Sequence, residues 1–255
     1  MKEFEIIADS GGTKTDWLLC DESGISKKFT SESYHPRRID ADFIRSAKLF
    51  WSNIPQLEKY QLTFYGSGCF QKEKAQLMKE HLKAIGFVDP EVYSDIELAA
   101  KSLELVDGWG AICGTGSVVF KVESGEVTEL RGGLGRELGD EGSGFYFGKL
   151  LAKSILNNEL SIPELSKAEI AQIESYSTFA QRLYGHRTKM EIRRLHEESI
   201  QALIDNCLEG VKIISFVGSY AFHYQELFKD VLLKNGIVAD EFIEKPIDKL
   251  INYPL

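Results

Sequence analysis

The chain has 255 residues, of which 43% are hydrophobic and 27% charged, as in a soluble globular protein. Its 39 acidic residues outnumber its 30 basic residues, which argues against nucleic acid or an anionic membrane as a partner. No stretch approaches ~20 continuous apolar residues, and the N-terminal MKEFEII lacks the apolar region and cleavage site of a signal peptide. The four cysteines are far apart and form no C-x-x-C pair, so we expect buried thiols in a reduced, cytoplasmic protein.

The first predicted element is a glycine-rich hairpin within residues 4–21. An apolar run ends in Asp9, a polar turn follows, and a second apolar run begins at Trp17. Adjacent glycines let backbone N–H groups converge on an anion, and hydroxyl and ammonium groups add donors. The residues that would do so are Gly11, Gly12, Thr13, Lys14 and Thr15. Asp9 could hold a hydrated Mg²⁺ against that anion. An ordinary glycine-rich hairpin is the alternative, and this stretch alone does not decide between the two.

The next predicted elements complete a first lobe. In chain order they are a strand over 25–30, a polar loop over 31–38 that contains His35, a helix from Asp40 that ends before Pro55, a strand over 61–65, a turn over 66–68, a helix over 71–85 ended by Gly86, a strand over 91–94 and a helix over 95–106. The order of strands and helices is therefore βββαβαβα.

The same order then begins again. Strands are predicted over 109–113, 118–122 and 127–130, with a tight turn at 114–117. The tripeptide Glu-Ser-Gly occurs at 22–24 and again at 123–125, at the same point of the two hairpins, which indicates an internal duplication. A glycine-rich insertion over 132–144 comes after the third strand, and we expect it to be a loop without regular structure.

The remainder of the second copy is predicted to contain a helix over 145–157, a charged helical section over 158–210, an apolar strand over 211–217, a helix over 220–234 opened by Gly218-Ser219, and a last short strand and helix. We expect two lobes, residues 1–106 and 107–255, with the last helix packing back on the N-terminal lobe.

Two glycine turns, one in each copy, would enclose a polyphosphate from both sides of a cleft. The second turn offers Gly114, Thr115, Gly116 and Ser117. Backbone amides and hydroxyls suit phosphate oxygens, and Mg²⁺ would offset the remaining charge.

Asp95 is a candidate general base, because it stands where a strand meets a helix and could accept the proton of an attacking hydroxyl. Aspartate is also a favoured N-cap, and the spacing alone favours that role. Asp140 and Glu141 could bind ligand hydroxyls or simply solvate their loop. Gly218 and Ser219 could approach a nucleotide base or ribose, or form only a tight turn.

The chain resembles the sugar kinase/Hsp70/actin superfamily, and more closely the group that contains N-acetylglucosamine kinase and the BadF/BadG-type ATPases. Its motifs are Asp9–Asp16 for the first phosphate turn, Gly114–Ser117 for the second, Phe216–Ser219 for adenosine, and Gly132–Gly135 with Gly139–Ser143 for the sugar. The resemblance implies an α/β fold of duplicated, ribonuclease H-like (actin-like ATPase) lobes around a nucleotide cleft.

The resemblance also implies roles for single residues. Asp95 matches the catalytic base, which raises that interpretation above the N-cap, and Thr13 and Thr115 match phosphate contacts. Asp140 matches a sugar-hydroxyl ligand, and the neighbouring substrate contacts match Gly133, Leu134, Gly135 and His35. Leu134 replaces a tryptophan of N-acetylglucosamine kinase and His35 replaces a sugar-contacting asparagine, so the identity of the sugar stays open.

These motifs lead to three hypotheses. The first is an ATP-dependent sugar kinase, for an amino sugar such as N-acetylglucosamine, with ATP, Mg²⁺ and a small sugar as its ligands. The second is an activator ATPase with an Fe–S cluster shared between subunits, which the positions of the cysteines disfavour. The third is a sugar-responsive regulator, which an acidic chain disfavours. A homodimer is left open.

Overall fold

The computed structural model describes residues 4–21, 24–163, 165–172, 176–186 and 189–250. The chain divides into two compact units: Met1–Ser102 together with Pro246–Leu255, and Leu103–Lys245. Within the described residues, no helix combines the length and the apolar character needed to cross a membrane. The four cysteines are free thiols, and all except the half-buried Cys20 are buried.

The first unit contains a five-stranded sheet. Its elements in chain order are β1 (Glu5–Ser10), β2 (Lys14–Asp21), β3 (Gly24–Glu32), α1 (Ala41–Trp51), a 3₁₀ turn (Leu57–Lys59), β4 (Gln61–Gly66), α2 (Lys72–Ile85), β5 (Glu91–Ser94) and α3 (Asp95–Ser102). The strand order is β3-β2-β1-β4-β5, in which β1, β4 and β5 are parallel and β2 and β3 are antiparallel to their neighbours.

The second unit repeats this sheet. Its elements are β6 (Gly108–Cys113), β7 (Ser117–Glu123), β8 (Glu126–Gly132), α4 (Gly135–Leu138), α5 (Gly144–Leu156), α6 (Lys167–Gln172), α7 (Thr178–Arg182), a 3₁₀ turn (Tyr184–His186), α8 (Met190–Cys207), β9 (Ile213–Val217), α9 (Ser219–His223), α10 (Gln225–Lys234) and β10 (Val238–Ile243). The strand order β8-β7-β6-β9-β10 is the order of the first sheet with each strand replaced by its counterpart. The predicted duplication is therefore confirmed.

The local sequence explains most element ends. Helix α1 begins after Asp40, whose carboxylate accepts the N–H of Phe43 at 2.8 Å, and α2 ends at Gly86 with φ of +130°. Helix α3 ends at Ser102, four residues before the predicted end. Glu104 has φ of +52°, which lies outside the helical region.

Two further expectations need correction. The insertion over 132–144 contains a short helix, α4, between glycines of positive φ. The helix predicted over 220–234 is divided at Tyr224, where the backbone leaves helical geometry and the hydroxyl donates to the carbonyl oxygen of Ala180 at 2.8 Å.

The first sheet buries apolar side chains on both faces. Along β1, Ile6 and Ala8 contribute to a core with Trp17 and Trp51, whereas Ile7 contributes to a second core. This alternation is what a strand covered on both faces requires. The second core includes Ile247 and Leu250 of the C-terminal helix α11 (Pro246–Leu250), which contacts α3 and β1.

Candidate active site

The first glycine turn is shorter than the sequence suggested. Strand pairing between β1 and β2 continues to Ser10 opposite Thr15, and the N–H of Gly11 donates to the carbonyl oxygen of Lys14 at 3.0 Å. Gly12 and Thr13 are exposed at the tip, and a Cβ added to Gly12 would meet no atom within 4 Å. The tip therefore presents backbone to open space, as an anion-binding turn requires.

Two residues predicted to bind phosphate have other contacts. Thr15 is fully buried, and its hydroxyl lies 2.8 Å from that of Ser10. Its hydroxyl supports the turn from inside the unit, and its assignment as a ligand contact stays a prediction. Lys14 is half exposed in β2, and its ammonium pairs with the carboxylate of Asp16 at 3.0 Å.

The loop after β3 holds the first turn in place. The hydroxyl of Ser33 donates to the carbonyl oxygen of Gly11 at 2.6 Å. The N–H of Tyr34 donates to the hydroxyls of both Ser10 and Thr15, at 3.1 and 3.0 Å. These three contacts connect residues far apart in sequence, and no motif indicated them.

Strand register places Asp95 beside this turn. Ser10 of β1 is opposite Gly66 of β4, and Gly66 is opposite Ser94 of β5, so the carboxyl ends of the three parallel strands are adjacent. Asp95 directly follows β5, and Ser67 directly follows β4. The N–H of Ser67 donates to the carbonyl oxygen of Ser10 at 2.8 Å, which connects this end of the sheet to the first turn.

Ser94, not Asp95, forms the capping box of α3. The N–H and hydroxyl of Ser94 donate to the Glu97 carboxylate at 2.7 and 2.8 Å, and the N–H of Glu97 donates to the Ser94 hydroxyl at 3.2 Å. The N-cap interpretation of Asp95 is therefore wrong. Its carboxylate, one position further on, accepts its own N–H and that of Ile96.

The environment of Asp95 makes its carboxylate a better base. Burial raises its pKa from the ordinary value to about 6, while hydrogen bonds from the Ser67 hydroxyl and the two α3 amides act in the opposite direction. A group with this pKa is mostly ionised at neutral pH and yet binds a proton more readily than an exposed aspartate. Ser67 was predicted only as a turn residue. The signal that could have marked it as a site residue was its position directly after a parallel strand.

His35 lies next to the same loop. A Cβ built on Gly68, which has φ of +81°, would come within 3.0 Å of His35 Nε2, so the ring lies directly against this glycine. The N–H of Arg37 donates to His35 Nδ1 at 3.2 Å, so the neutral ring carries its hydrogen on Nε2. His35 was a predicted substrate contact, and the structure places its ring against Gly68, the residue next to Ser67.

The second unit has a corresponding turn after β6. The N–H of Gly114 donates to the carbonyl oxygen of Gly116 at 3.0 Å. The glycine-rich insertion packs on this turn: the N–H groups of Gly144 and Phe145 donate to the carbonyl oxygens of Gly114 and Thr115, at 2.9 and 3.1 Å. The carbonyl groups of Gly114 and Thr115 are thereby occupied by the first residues of α5.

Asp140 joins the insertion to this turn. It is buried, has φ of +66°, and accepts the N–H of Ser117 at 3.2 Å. The Ser117 hydroxyl donates to the carbonyl oxygen of Glu141 at 2.7 Å, so the N–H and the hydroxyl of Ser117 both donate within the unit, and its role as a phosphate contact stays a prediction. Burial raises the pKa of the Asp140 carboxyl, which the Ser117 N–H and the charge of Arg136 partly oppose.

The other predicted substrate contacts lie at the start of α4. Leu134 is two-thirds exposed, at 67% of its full accessibility, and is flanked by Gly133 and Gly135, whose φ angles are +67° and +81°. The two glycines let the chain present Leu134 outward.

The turn after β9 comes close to the second glycine turn. Gly218 has φ of +117°, and a Cβ there would lie 2.8 Å from the carbonyl carbon and oxygen of Cys113. Its N–H donates to the carbonyl oxygen of Ile243 at 2.8 Å, and the exposed Ser219 begins α9. Only glycine fits this position.

The donor set bears on whether Mg²⁺ fits. In the parts of the chain that the structure describes, no three His, Cys, Asp or Glu side chains form a group that could hold a metal ion. Asp9 supplies one half-buried carboxylate near the carboxyl end of β1. One carboxylate suits Mg²⁺ that is bound mainly by substrate phosphates and water, and does not suit a metal held by protein alone.

The chain is similar to known proteins in structure more than in sequence. No family model and no curated protein matches it. Among solved structures, a "putative N-acetylglucosamine kinase" from Porphyromonas gingivalis is 26% identical, with a TM-score of 0.85 over 97% of both chains. A second "putative N-acetylglucosamine kinase", from Chromobacterium violaceum, is 16% identical, with a TM-score of 0.68 over 98% of both chains. A ROK family glucokinase from Streptomyces griseus, in complex with glucose and AMPPNP, is 14% identical, with a TM-score of 0.60 over 97% of both chains.

These similarities and the duplicated sheet define the class of protein. The chain has the actin-like ATPase fold and belongs to the sugar kinase/Hsp70/actin superfamily. The predicted resemblance is confirmed at this level.

Proposed function

We propose that the protein is an ATP-dependent kinase that phosphorylates a hydroxyl of a small sugar, most closely of the N-acetylglucosamine kinase type. The observation that carries this proposal is the placement of Asp95. A carboxylate with a pKa of about 6 stands at the carboxyl end of β5, beside the end of β1 that leads into the first glycine turn. The similarity to the P. gingivalis protein over 97% of both chains supports the same assignment.

In this proposal Asp95 is the general base. It orients the acceptor hydroxyl and takes its proton as the hydroxyl oxygen attacks the γ-phosphorus of ATP, while the bond from that phosphorus to the β,γ-bridging oxygen breaks and ADP leaves. Phosphoryl transfer has a loose transition state, so positioning matters more than base strength. The Ser67 hydroxyl and the α3 amides hold the carboxylate in one orientation, which is the contribution that this chemistry needs most.

ATP is assigned to the two glycine turns and to Gly218 and Ser219. Exposed Gly12 and Thr13 offer phosphate contacts in the first unit, and Thr115 and Gly116 offer them in the second. Asp9 would contact Mg²⁺, which supplies charge neutralisation of the phosphates. Asp140 would accept a sugar hydroxyl, with Gly133 to Gly135 beside it. The free thiols are compatible with the reducing cytoplasm, where ATP is available.

A sugar panel with an Asp95→Asn variant tests the proposal. ADP release is measured with hexoses and amino sugars, and we expect ADP to appear only with an accepted sugar. Asn keeps the size of the side chain and cannot take the proton, so kcat should fall by about 10²–10⁴-fold while ATP affinity stays within about twofold. Asp42→Asn, on the exposed surface of α1, is the matched control and should keep full activity.

A stability measurement shows that the variant is folded. The raised pKa means that the native state holds the Asp95 proton more tightly than the unfolded state, so ionisation destabilises the native state as pH rises from about 4 through about 6. Asp95→Asn should therefore melt at or above the wild-type temperature at pH 8, with the difference disappearing below pH 4. Retained transfer by this variant would contradict the base assignment, and sugar-independent ADP release would indicate a stand-alone ATPase.

A further inference from the structure

A buried histidine lies in the core of the second unit. The imidazole of His196, in α8, is fully buried and stacks on the Phe147 ring of α5, with 3.7 Å between the ring centroids and 5° between the planes. Its Nδ1 lies 2.7 Å from the hydroxyl oxygen of Tyr220, which is also buried. Burial lowers the pKa of His196 to about 3, so the imidazole is neutral at neutral pH. We call His196 and Tyr220 the buried pair.

The buried pair stabilises this core less than apolar side chains of similar size would. Among the described residues, the second ring nitrogen of His196, Nε2, has no hydrogen-bond partner. A buried polar atom without a partner costs free energy, and two apolar rings in the same space would not carry that cost. The hydrogen bond of the pair is directional, however, whereas apolar packing is not. The pair therefore indicates that the orientation of the Tyr220 ring matters.

Tyr220 connects the pair to the second glycine turn. Its ring lies against Gly144, the first residue of α5: a Cβ built on that glycine would come within 3.6 Å of Tyr220 Cδ2 and within 3.4 Å of the carbonyl oxygen of Gly114. The N–H of Gly144 donates to the same carbonyl oxygen at 2.9 Å. The tyrosine ring therefore packs on the residue that holds Gly114 in place.

Tyr220 also belongs to the segment that packs on the other side of this turn. It is the second residue of α9 and directly follows Ser219. Gly218, one residue earlier, lies against the turn, because a Cβ there would be 2.8 Å from the carbonyl carbon and oxygen of Cys113 and 3.0 Å from the nitrogen of Gly114. Two segments thus pack on Gly114, and Tyr220 is part of one and lies against the other.

We propose that Tyr220 and His196 are positioning residues for the nucleotide: their hydrogen bond fixes the tyrosine ring, and the ring holds the second glycine turn and Gly218-Ser219 in the relative position that ATP requires. This inference rests on the proposed function, which assigns ATP to these two segments. Both side chains are buried, so they act through the backbone of the turns and not by contact with the nucleotide. Binding groups have to be held within about 0.5 Å of their productive positions, so a small movement of the ring would weaken binding.

A double variant tests the proposal by removing the hydrogen bond without exposing the core. His196→Phe with Tyr220→Phe keeps an aromatic ring at both positions, and the lost tyrosine oxygen makes room for the larger ring at position 196. Since no polar atom of the pair is left without a partner, the melting temperature should be within about 3 °C of the wild type or above it. The Kd of ADP with Mg²⁺, measured by calorimetry, should still rise about 10-fold, because apolar packing does not fix the ring orientation.

The single variant Tyr220→Phe should separate stability from affinity in the same way. It leaves His196 Nδ1 without its partner, so it should melt about 2–4 °C below the wild type, and its Kd of ADP should rise by about the same factor as in the double variant. With an accepted sugar, both variants should show a higher KM of ATP, and saturating ATP should restore kcat.

Tyr224→Phe is the matched control. Tyr224 is a buried tyrosine of the same unit whose hydroxyl donates to the carbonyl oxygen of Ala180 at 2.8 Å, a bond to α7 and not to either turn. Its loss should lower the melting temperature by about 2–4 °C and leave the Kd of ADP within about twofold of the wild type. If the double variant does not fold, the comparison of Tyr220→Phe with Tyr224→Phe decides the same question.

The outcomes separate the two proposals. Wild-type affinity for ADP in the double variant or in Tyr220→Phe would overturn the positioning role and leave the kinase proposal standing. An affinity that falls with the melting temperature in every variant, Tyr224→Phe included, would show that the pair only supports the fold, and would overturn the inference as well. If the wild type binds neither ADP nor ATP, the kinase proposal and this inference both fail.

Discussion

The two units share one sheet and differ in the segment after its third strand. After β3, a short loop reaches back through Ser33 and Tyr34 and holds the first glycine turn by three hydrogen bonds. After β8, the glycine-rich insertion packs on the second turn and contributes the buried carboxylate of Asp140. The duplicated framework supplies two similar turns, and the segment after the third strand makes them chemically different.

The ends of the fourth and fifth strands differ as well. Gly66 and Ser67 stand at the end of β4, and Gly218 and Ser219 stand at the end of its counterpart β9. The residue after β5 is Asp95, with a pKa raised by burial. The residue after β10 is Glu244, which is 40% exposed and lies 3.3 Å from His223. Of these two carboxylates, only that of the first unit has a pKa that burial raises to about 6, which is why the proposed proton transfer belongs to the first unit.

The largest effect that we expect is a loss of stability on adding one methyl group at the corresponding glycines Gly66 and Gly218. In Gly218→Ala the new Cβ meets backbone atoms of Cys113 at 2.8 Å, and alanine is strained at φ of +117°. Strain and overpacking together should cost about 3 kcal/mol or more. In Gly66→Ala the Cβ meets the Phe64 ring, a side chain that can shift, so the cost should be about 1–3 kcal/mol.

Thermal unfolding measures this difference. We expect Gly218→Ala to melt about 6–12 °C below the wild type. The melting temperature of Gly66→Ala should lie between those of Gly218→Ala and the wild type. Gly12→Ala is the control, because its Cβ would meet nothing within 4 Å, and it should leave the melting temperature unchanged. Equal destabilisation by all three variants would mean that the approach of Gly218 to Cys113 is not as close as the structure shows.

Much of this comparison was predictable from the sequence. Short apolar runs between glycine turns predicted the strands, and the repeated Glu-Ser-Gly predicted the duplication that the two sheet orders confirm. The end of α3 was not predictable, because Glu104 is an ordinary helix residue and its φ of +52° is set by the chain around it. The division of the α9–α10 segment likewise depends on a bond from Tyr224 to the distant Ala180.

The candidate site was predicted less completely. The occurrence of one glycine turn in each copy indicated the two turns, and the family resemblance, not the spacing, indicated Asp95 as a candidate base. The burial of Thr15 and the use of both polar groups of Ser117 result from tertiary contacts, with Tyr34 in one case and Asp140 and Glu141 in the other. Sequence spacing carries no information about contacts of that kind.

An intermediate effect, on the KM of the sugar, should come from replacing Asp140, the buried carboxylate of the second unit. Asp140→Asn keeps an oxygen that can accept the Ser117 N–H and removes the charge. If Asp140 binds a sugar hydroxyl, the KM of the sugar should rise about 10-fold because a charged hydrogen bond is lost, with kcat changed much less. Steady-state kinetics with varied sugar and saturating ATP separate the change in the KM of the sugar from the change in kcat.

Stability provides the control for that variant. Burial raises the pKa of Asp140, so its charge destabilises the native state above its ordinary pKa, and Asp140→Asn should not melt below the wild type at pH 8. Glu141→Gln, in the same loop, should leave the KM of the sugar within about twofold. A fall in kcat with an unchanged KM would contradict the assignment of Asp140 to substrate binding.

The smallest effect, and the most specific, concerns Ser67. Its hydroxyl bond to Asp95 lowers the carboxyl pKa against the larger effect of burial, so its loss in Ser67→Ala should raise that pKa further above about 6. The acidic limb of the kcat profile should move to higher pH, and kcat at its plateau should fall only a few-fold. Ser67→Thr keeps the hydroxyl and should restore the wild-type limb, and Ser52→Ala, which removes an exposed hydroxyl at the end of α1, should leave it unmoved.

A lower kcat with an unshifted limb would show that Ser67 supports the fold of this loop without acting on the protonation of Asp95. A shifted limb would identify Ser67 as the positioning residue of the first unit, whereas the carboxylate after β10 in the second unit, Glu244, lies 3.3 Å from His223.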